Sequence, residues 1–347
     1  MEKQWEEAAG RIHARALVAD AHFDLLMDVE IQRKRGRTRV IESDYLPEFE
    51  RGGVNVIVAA VFVESEFLPE MGLRKALNQI TALHAEVAES PDRFMICRTM
   101  QDVERAVAEN KLGFVLSLEG VEPIGDDLTL VRTFYELGVR SIGLTWSRRN
   151  YAADGSHYSK AKEGKEGGLT AFGVQILEEA ARLGITIDVS HINDSGFWDV
   201  IAFSEKPVIA SHSNARSVTD SSRNLTDEQI KAIAETNGVI GLNAASMFTA
   251  DTDERSTIAG LVDHAEHIIK LVGVEHVCLG LDLCDPFMKY ISPETIARFP
   301  RVPFDVVKGH GRLPALTAEL LQRGYSESDA EKILGKNLMR VFASVWK

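Results

Sequence analysis

The chain has 347 residues, 45% hydrophobic and 26% charged, the balance of a soluble globular protein and not of a disordered or fibrous one. Lys and Arg number 39 against 52 Asp and Glu, a formal net charge of −13 that repels phosphate backbones and excludes nucleic acid as an expected partner. A chain of this length buries roughly 75% of its unfolded surface, so neither disulfides nor a structural metal is needed for folding, and a bound metal is expected to be functional.

The first ten residues, MEKQWEEAAG, hold no apolar targeting core. The first β-rich run is LVADAHFD at 17–24, followed by the polar segment 27–50 with its basic QRKRGRTR stretch, which reads as a long solvated loop. Further runs follow at 54–64 (VNVIVAAVFVE), 113–120 (GFVLSLEG), 139–146 (VRSIGLTW), 185–191 (ITIDVSH), 206–212 (KPVIASH), 238–244 (GVIGLNA) and 276–282 (HVCLGLD). Stretches of helical period lie between them, among them LRKALNQITALHAEVAES, LTAFGVQILEEAARLG and LTDEQIKAIAETNG. Thr226 is placed as an N-cap, Asn193 or Asp194 as the cap of the helix after the fifth run, and Gly184 and Gly238 as helix stops. The segment 284–310, rich in Pro and aromatics, reads as a second long loop, before a C-terminal helix. No run reaches the ~18 apolar residues of a membrane span, and MRVFASVWK at the C-terminus is too short for a lipid-anchor signal. Cys97, Cys278 and Cys284 are odd in number, show no CxxC pairing and lie in or beside apolar runs, so they read as core residues of a cytoplasmic protein.

Eight strands with intervening helices, several of them continuous apolar runs such as VNVIVAAVFV, predict an α/β fold. Specifically, they predict a single (β/α)8 TIM barrel over residues 1–347. A doubly wound open sheet is the alternative, but no GxGxxG or Walker segment follows the first strand to support its nucleotide-binding form.

The strands end in metal-ligand residue types: His22 and Asp24 at the first, Glu119 at the third, His191 at the fifth, His212 at the sixth and Asp282 at the eighth. In a barrel these C-terminal ends converge on one mouth. His22 and Asp24, two apart on a strand, face the same side and can reach one ion together. The mixed imidazole and carboxylate set suits two divalent ions of the Zn2+ type rather than Ca2+ or Mg2+. With Glu119 bridging, His22 and Asp24 complete one site and His191 and His212 the other. A shared water or hydroxide between the ions can then attack a polarised carbonyl. Asp282 is positioned to move the proton to a leaving amine, which is amide or ester hydrolysis. His264 and His267, at i and i+3 of a helix, read as surface residues; His13, His84, His276 and His310 read as structural, and His157 as part of a Gly- and Lys-rich loop.

The segments DAHFDLLMD, SLEGVEPIG, GLDL and the long stretch from Gly168 to Asn243 resemble the renal, or membrane, dipeptidase family of the amidohydrolase superfamily. The resemblance implies a binuclear zinc barrel with His22, Asp24, Glu119, His191 and His212 as ligands, Asp282 as catalytic acid/base and Arg223 as the residue gripping the substrate carboxylate. It also implies a zinc-dependent dipeptidase for small unblocked dipeptides, members commonly accepting a D-configured C-terminal residue, and a homodimer in many cases. Arg223 lies in a polar loop where its guanidinium could hold a carboxylate with two hydrogen bonds. One departure bears on substrate: the family's histidine after strand four, which helps hold the scissile carbonyl, is Trp146 here, in GLTWSRRNYAADG. An indole donates one hydrogen bond and cannot be a cation. Tyr151, Arg148, Arg149 and His157 are the candidates to compensate. The substitution leaves room for another small amide, an N-acyl amino acid or a lactam, as substrate. A non-catalytic barrel is the third reading, opposed by the intact ligand set.

Overall fold

The structure, a computed structural model, describes residues 2–157, 164–291, 293–296, 299 and 301–347. Its strands are β1 (Ala19–Phe23), β2 (Val56–Phe62), β3 (Phe94–Ile96), β4 (Leu112–Glu119), β5 (Val139–Gly143), β6 (Thr186–Asp188), β7 (Val208–Ala210), β8 (Val239–Leu242) and β9 (Val277–Leu279). All pairings are parallel, and a β2–β4 ladder together with a β1–β9 bridge closes eight of the strands into a ring. That is a (β/α)8 barrel, and the open doubly wound sheet is excluded. The eight closing strands are the eight apolar runs. The additional β3 pairs Phe94–Ile96 with Leu112–Phe114, beside the first half of β4. Its three residues lie in RFMICR, too short a run to stand out by periodicity.

The ring is unevenly stitched. β2 and β4 pair along their whole length, from Val56 against Gly113 to Phe62 against Glu119. β1 and β9 share a single register pair, Asp20 with Leu279. There the buried Asp20 carboxylate takes over: Oδ1 accepts from the Leu281 N–H at 2.9 Å and from the His22 N–H at 3.3 Å, and Oδ2 lies 2.8 Å from His310 Nε2. At the opposite end of the barrel, Leu338, Val341 and Phe342 of the C-terminal helix (Asn337–Val345) pack in one cluster with Ala19, Val56, Val115, Val239 and Cys278 of the strands. This plugs the floor, and loops on the other side form the mouth.

The segment 27–50 is a correction to the expected long loop. It carries helices Leu25–Lys34 and Leu46–Gly52 joined through a wide turn at Ile41–Tyr45. Two of its arginines are engaged, Arg33 with Glu86 and with Glu89 at 2.7 Å, and Arg37 with Asp44 at 2.6 Å. Leu25, Leu26, Val29, Ile41 and Phe49 form the hidden apolar stripe beneath that polar exterior. In the second loop the described residues of 284–310 form only short turns, at Met288–Tyr290, Pro293–Ile296 and His310–Arg312.

Local signals translate as their chemistry requires. Thr226 caps its helix with a reciprocal box to Gln229, Asn193 accepts from the Gly196 N–H, and Gly184 ends a helix at φ 81°. Gly238 takes part in the stop of its helix, its N–H donating to the Ile233 carbonyl at 3.0 Å just after Asn237 at φ 61°, and a Cβ there would fall 1.9 Å from the Val208 carbonyl oxygen. Among the described residues no helix is long and apolar enough to cross a membrane.

Candidate active site

His22 lies within β1 and Asp24 one residue beyond it, Glu119 is the last residue of β4, and His191, His212 and Asp282 follow β6, β7 and β9 by two or three residues. The barrel mouth brings all six together. His22 Nε2 lies 3.6 Å from Asp24 Oδ2, 3.7 Å from Glu119 Oε2 and 3.9 Å from Asp282 Oδ1. Glu119 Oε1 is 3.0 Å from His191 Nε2 and 3.7 Å from His212 Nε2, so its two oxygens face two different sets of donors. Donor atoms of His22, Glu119 and His212, and of His22, Asp24 and Asp282, fall within 4.8 Å of one another.

Two residues of the group are held in backbone geometry that L side chains rarely adopt: His191 at φ 68° and Asp282 at φ 51°. Such residues persist where surrounding structure over-determines them and cluster at functional sites. The Ser156 N–H donates to the His191 carbonyl at 2.6 Å, and the Asp282 N–H to the His22 carbonyl at 3.3 Å. Space behind the group is made by glycines: a Cβ on Gly241 or Gly280 would lie 1.8 or 1.7 Å from the Ser211 carbonyl oxygen.

The imidazoles are aimed by partners on their far sides. Ser147 Oγ is 2.8 Å from His191 Nδ1, and Ser211 Oγ is 2.7 Å from His212 Nδ1 and donates to the buried Asp188 carboxylate. Asp188 also accepts from the Ser190 and Ser211 N–H groups, both at 2.9 Å. Nε2 of His22 and of His212 and Oδ1 of Asp24, by contrast, are buried with no hydrogen-bond partner. Orphaned polar atoms in an interior are costly. Converging on one spot with mixed N and O chemistry, they fit divalent cations.

Electrostatics agree. Burial alone would lower His22, but Glu119, Asp24 and Asp282 outweigh it and push the imidazole up to about 10. Glu119 is raised well above the carboxylate range by burial, with Asp24 adding to the effect. Asp282 is pushed up to about 6 by burial, with Asp24 adding and His22 and Arg223 opposing. His191 and His212 are held well below the usual imidazole value, by burial first, then by Arg223 and by His22 respectively. Without cations, protons on His22 and Glu119 must offset the crowded negative charge.

The substrate-side expectations separate. Trp146 lines the cavity over the site, its ring 5.8 Å from that of His191 and 5.2 Å from Phe62. Arg223 is buried behind the wall, its guanidinium 5.5 Å from the Phe248 ring, with Nη2 donating to the His212 carbonyl at 3.0 Å, Nη1 to Ser213 Oγ at 3.3 Å and Nε unpartnered. Tyr151 is 59% exposed and does not line the cavity. Arg148 bonds Glu122, Ser65 and the Val63 carbonyl, and Arg149 pairs with Asp154. Neither lines the cavity, and nor does His157.

The surface reading of His264 is overturned: it is fully buried, bonding the Thr249 carbonyl and the Ala215 N–H, while the half-buried His267 pairs with Asp227. His13 and His310 are buried in hydrogen bonds, as structural histidines should be. Cys97 and Cys278 are core residues; Cys284 instead lines the cavity.

The cavity has a volume of about 140 Å3. Sequence reading missed part of its wall: Phe248 and Met247 beyond β8, Phe287 and Met288 beyond β9, and Glu64 beyond β2. It also missed Asn243, whose amide donates to Asp282 Oδ2 at 2.9 Å and to the His212 carbonyl at 3.3 Å. Glu64 was open to discovery, because it ends an apolar strand run just as Glu119 nearly does.

A (β/α)8 barrel with buried, outward-orphaned imidazoles and carboxylates at its C-terminal mouth defines a metal-dependent hydrolase. Comparison with known proteins narrows the class. The family described as membrane dipeptidase, peptidase family M19, matches residues 6–347. The chain is 30% identical over 307 residues to dipeptidase verJ of Clonostachys rogersoniana, covering 88% of this chain and 72% of that protein. It is 33% identical over 274 residues to an uncharacterized Klebsiella pneumoniae protein in the pqqA 5′ region, covering 78% and 96%. Among solved structures, a Rhodobacter sphaeroides metallopeptidase liganded with a phosphinate mimic of the dipeptide L-Ala-D-Ala superposes with a TM-score of 0.82 at 28% identity, covering 95% of this chain and 99% of that one. The chain belongs to the membrane dipeptidase family and is a metal-dependent peptide hydrolase; the family works with divalent metal ions on dipeptide substrates.

Proposed function

We propose that the protein is a zinc-dependent dipeptidase acting on small unblocked dipeptides, including those with a D-configured second residue. The observation that carries this reading is the set of buried, unpartnered atoms, His22 Nε2, His212 Nε2 and Asp24 Oδ1, gathered around Glu119. His22 and Asp24 would hold one ion and His191 and His212 a second, with Glu119 shared. Bound there, a pair of divalent ions supplies a water of lowered pKa and polarisation of a carbonyl. The protein's own groups do the rest. Asp282, raised toward neutrality and oriented by Asn243, takes a proton and returns it to the leaving amine. Arg223 offers its unpartnered Nε edge to the substrate carboxylate. Serines 147 and 211 keep the imidazoles in place.

The reading is tested by assaying a panel of L,L and L,D dipeptides with zinc-loaded protein of measured metal content. Turnover with about two ions per chain is expected; absence of turnover on every dipeptide, with metal bound, overturns it. Trp146 at the cavity wall favours a second reading, hydrolysis of another small amide such as an N-acyl amino acid or a lactam. Product analysis on both substrate classes separates the two.

A further inference from the structure

Four carboxylates line the cavity, those of Asp24, Glu64, Glu119 and Asp282, with no lysine or arginine among the described lining residues. The proposed metal and proton chemistry uses three of them and leaves Glu64. This residue stands two positions beyond β2, half-buried, where the chain turns into a short helical segment at Ser65–Phe67. Among the described residues no hydrogen bond or ion pair reaches its side chain. The nearby cations are engaged elsewhere: Arg148 on Glu122, Ser65 and the Val63 carbonyl, and Lys75 on Glu30. Burial pushes the Glu64 carboxyl above its ordinary range, with Arg148 only partly offsetting it. A carboxylate that lines the cavity with no cation of the protein paired to it offers an ammonium ligand a charge-assisted hydrogen bond.

Resting on the dipeptidase reading above, we infer that Glu64 recognises the free α-ammonium of the substrate. The ammonium end then lies toward β2 and the carboxylate end toward Arg223, beyond β7, with the peptide bond crossing the His22–Glu119–His212 cluster between them. Phe62 and Trp146, ring to ring at 5.2 Å, flank the ammonium end and form an apolar rest for the first side chain. An acyl group in place of the ammonium would leave this carboxylate facing a neutral amide.

The test compares Leu-Ala with its desamino analogue, isocaproyl-Ala, in wild type and in Glu64→Gln and Glu64→Ala, all loaded with metal and checked for metal content. Wild type should favour the amine-bearing substrate by about 100-fold or more in kcat/KM, and Glu64→Gln should raise KM for Leu-Ala about 10- to 100-fold with a smaller change in kcat, collapsing the preference. Calorimetry with a phosphinate dipeptide mimic and its desamino counterpart should show the same collapse without turnover. An unchanged preference in both variants, on either readout, overturns the assignment while dipeptide cleavage stands. If the variants instead lose a preference for Lys-Ala over norleucyl-Ala and keep the desamino ratio, a side-chain ammonium is the ligand and the α-amino assignment falls. If wild type cleaves no dipeptide, the dipeptidase reading itself fails and takes this one with it.

Discussion

Replacing Asp20 by Ala should cost more than removal of any other single polar side chain at the barrel seam. β1 and β9 share one register pair there, and the Asp20 carboxylate supplies the acceptors that a fuller backbone ladder would otherwise provide. Deleting it orphans the buried Leu281 N–H and leaves His310 Nε2 unpaired; the His22 N–H contact, at 3.3 Å, is too long to weigh equally. At about 2 kcal/mol for each buried donor left unsatisfied, Asp20→Ala should lose about 4 kcal/mol. Asp20→Asn retains an oxygen for Leu281, and the His310 ring can turn an acceptor nitrogen toward the new amide, so it should lose about half as much. Urea unfolding of the metal-free proteins gives both values. Because His22 and Asp282 flank the same seam, the Ala variant should also bind metal more weakly. A loss below about 1 kcal/mol for Asp20→Ala, or equal losses for Ala and Asn, would refute the seam argument.

Other expectations follow from the site. Asp282→Asn should keep its metal and lower kcat by about 100- to 10,000-fold, measured on a cleaved dipeptide with parallel metal analysis; full activity would remove Asp282 from proton transfer. Arg223→Met should raise KM about 10- to 100-fold with kcat less affected, read from steady-state kinetics. Ser211→Ala breaks the Asp188–Ser211–His212 chain and should weaken metal retention about 10- to 100-fold in a chelator competition, with Ser211→Thr restoring part of it. Apparent metal affinity should climb between pH 6 and pH 9. His22, pushed up to about 10, must surrender a proton on binding throughout that range, whereas His191 and His212, held low, are already neutral. Each displaced proton steepens the rise by about tenfold per pH unit, and an affinity flat with pH would contradict the charge balance described.

Apolar strand runs and their terminal residues carried most of the architecture, because a strand buried on both faces has to be continuous in hydrophobicity and a barrel has to present its ends together. His22, Asp24, Glu119, His191, His212 and Asp282 were legible for that reason. Helix Leu25–Lys34 was hidden by QRKRGRTR, in which Arg33 pairs with Glu86 and Glu89, distant in sequence, and Arg37 with Asp44 across a turn. His264 reads in the opposite sense: a polar type on a helix points to its outer face, although the ring bonds two backbone groups in the interior. Glu64, at the end of VNVIVAAVFVE, falls under the same strand-end rule as Glu119. Asp20, Asp188 and Asn243 could not be singled out, since what they do depends on backbone groups brought to them only by closure of the ring.

The carbonyl oxygen of His212 accepts from both Arg223 and Asn243, and Asn243 in turn holds Asp282. A molecule that engages Arg223 therefore pulls on the peptide carrying one imidazole of the cluster. Occupancy of Arg223 is thereby transmitted through a single peptide oxygen to the His212 imidazole and, by way of Asn243, to the Asp282 carboxylate.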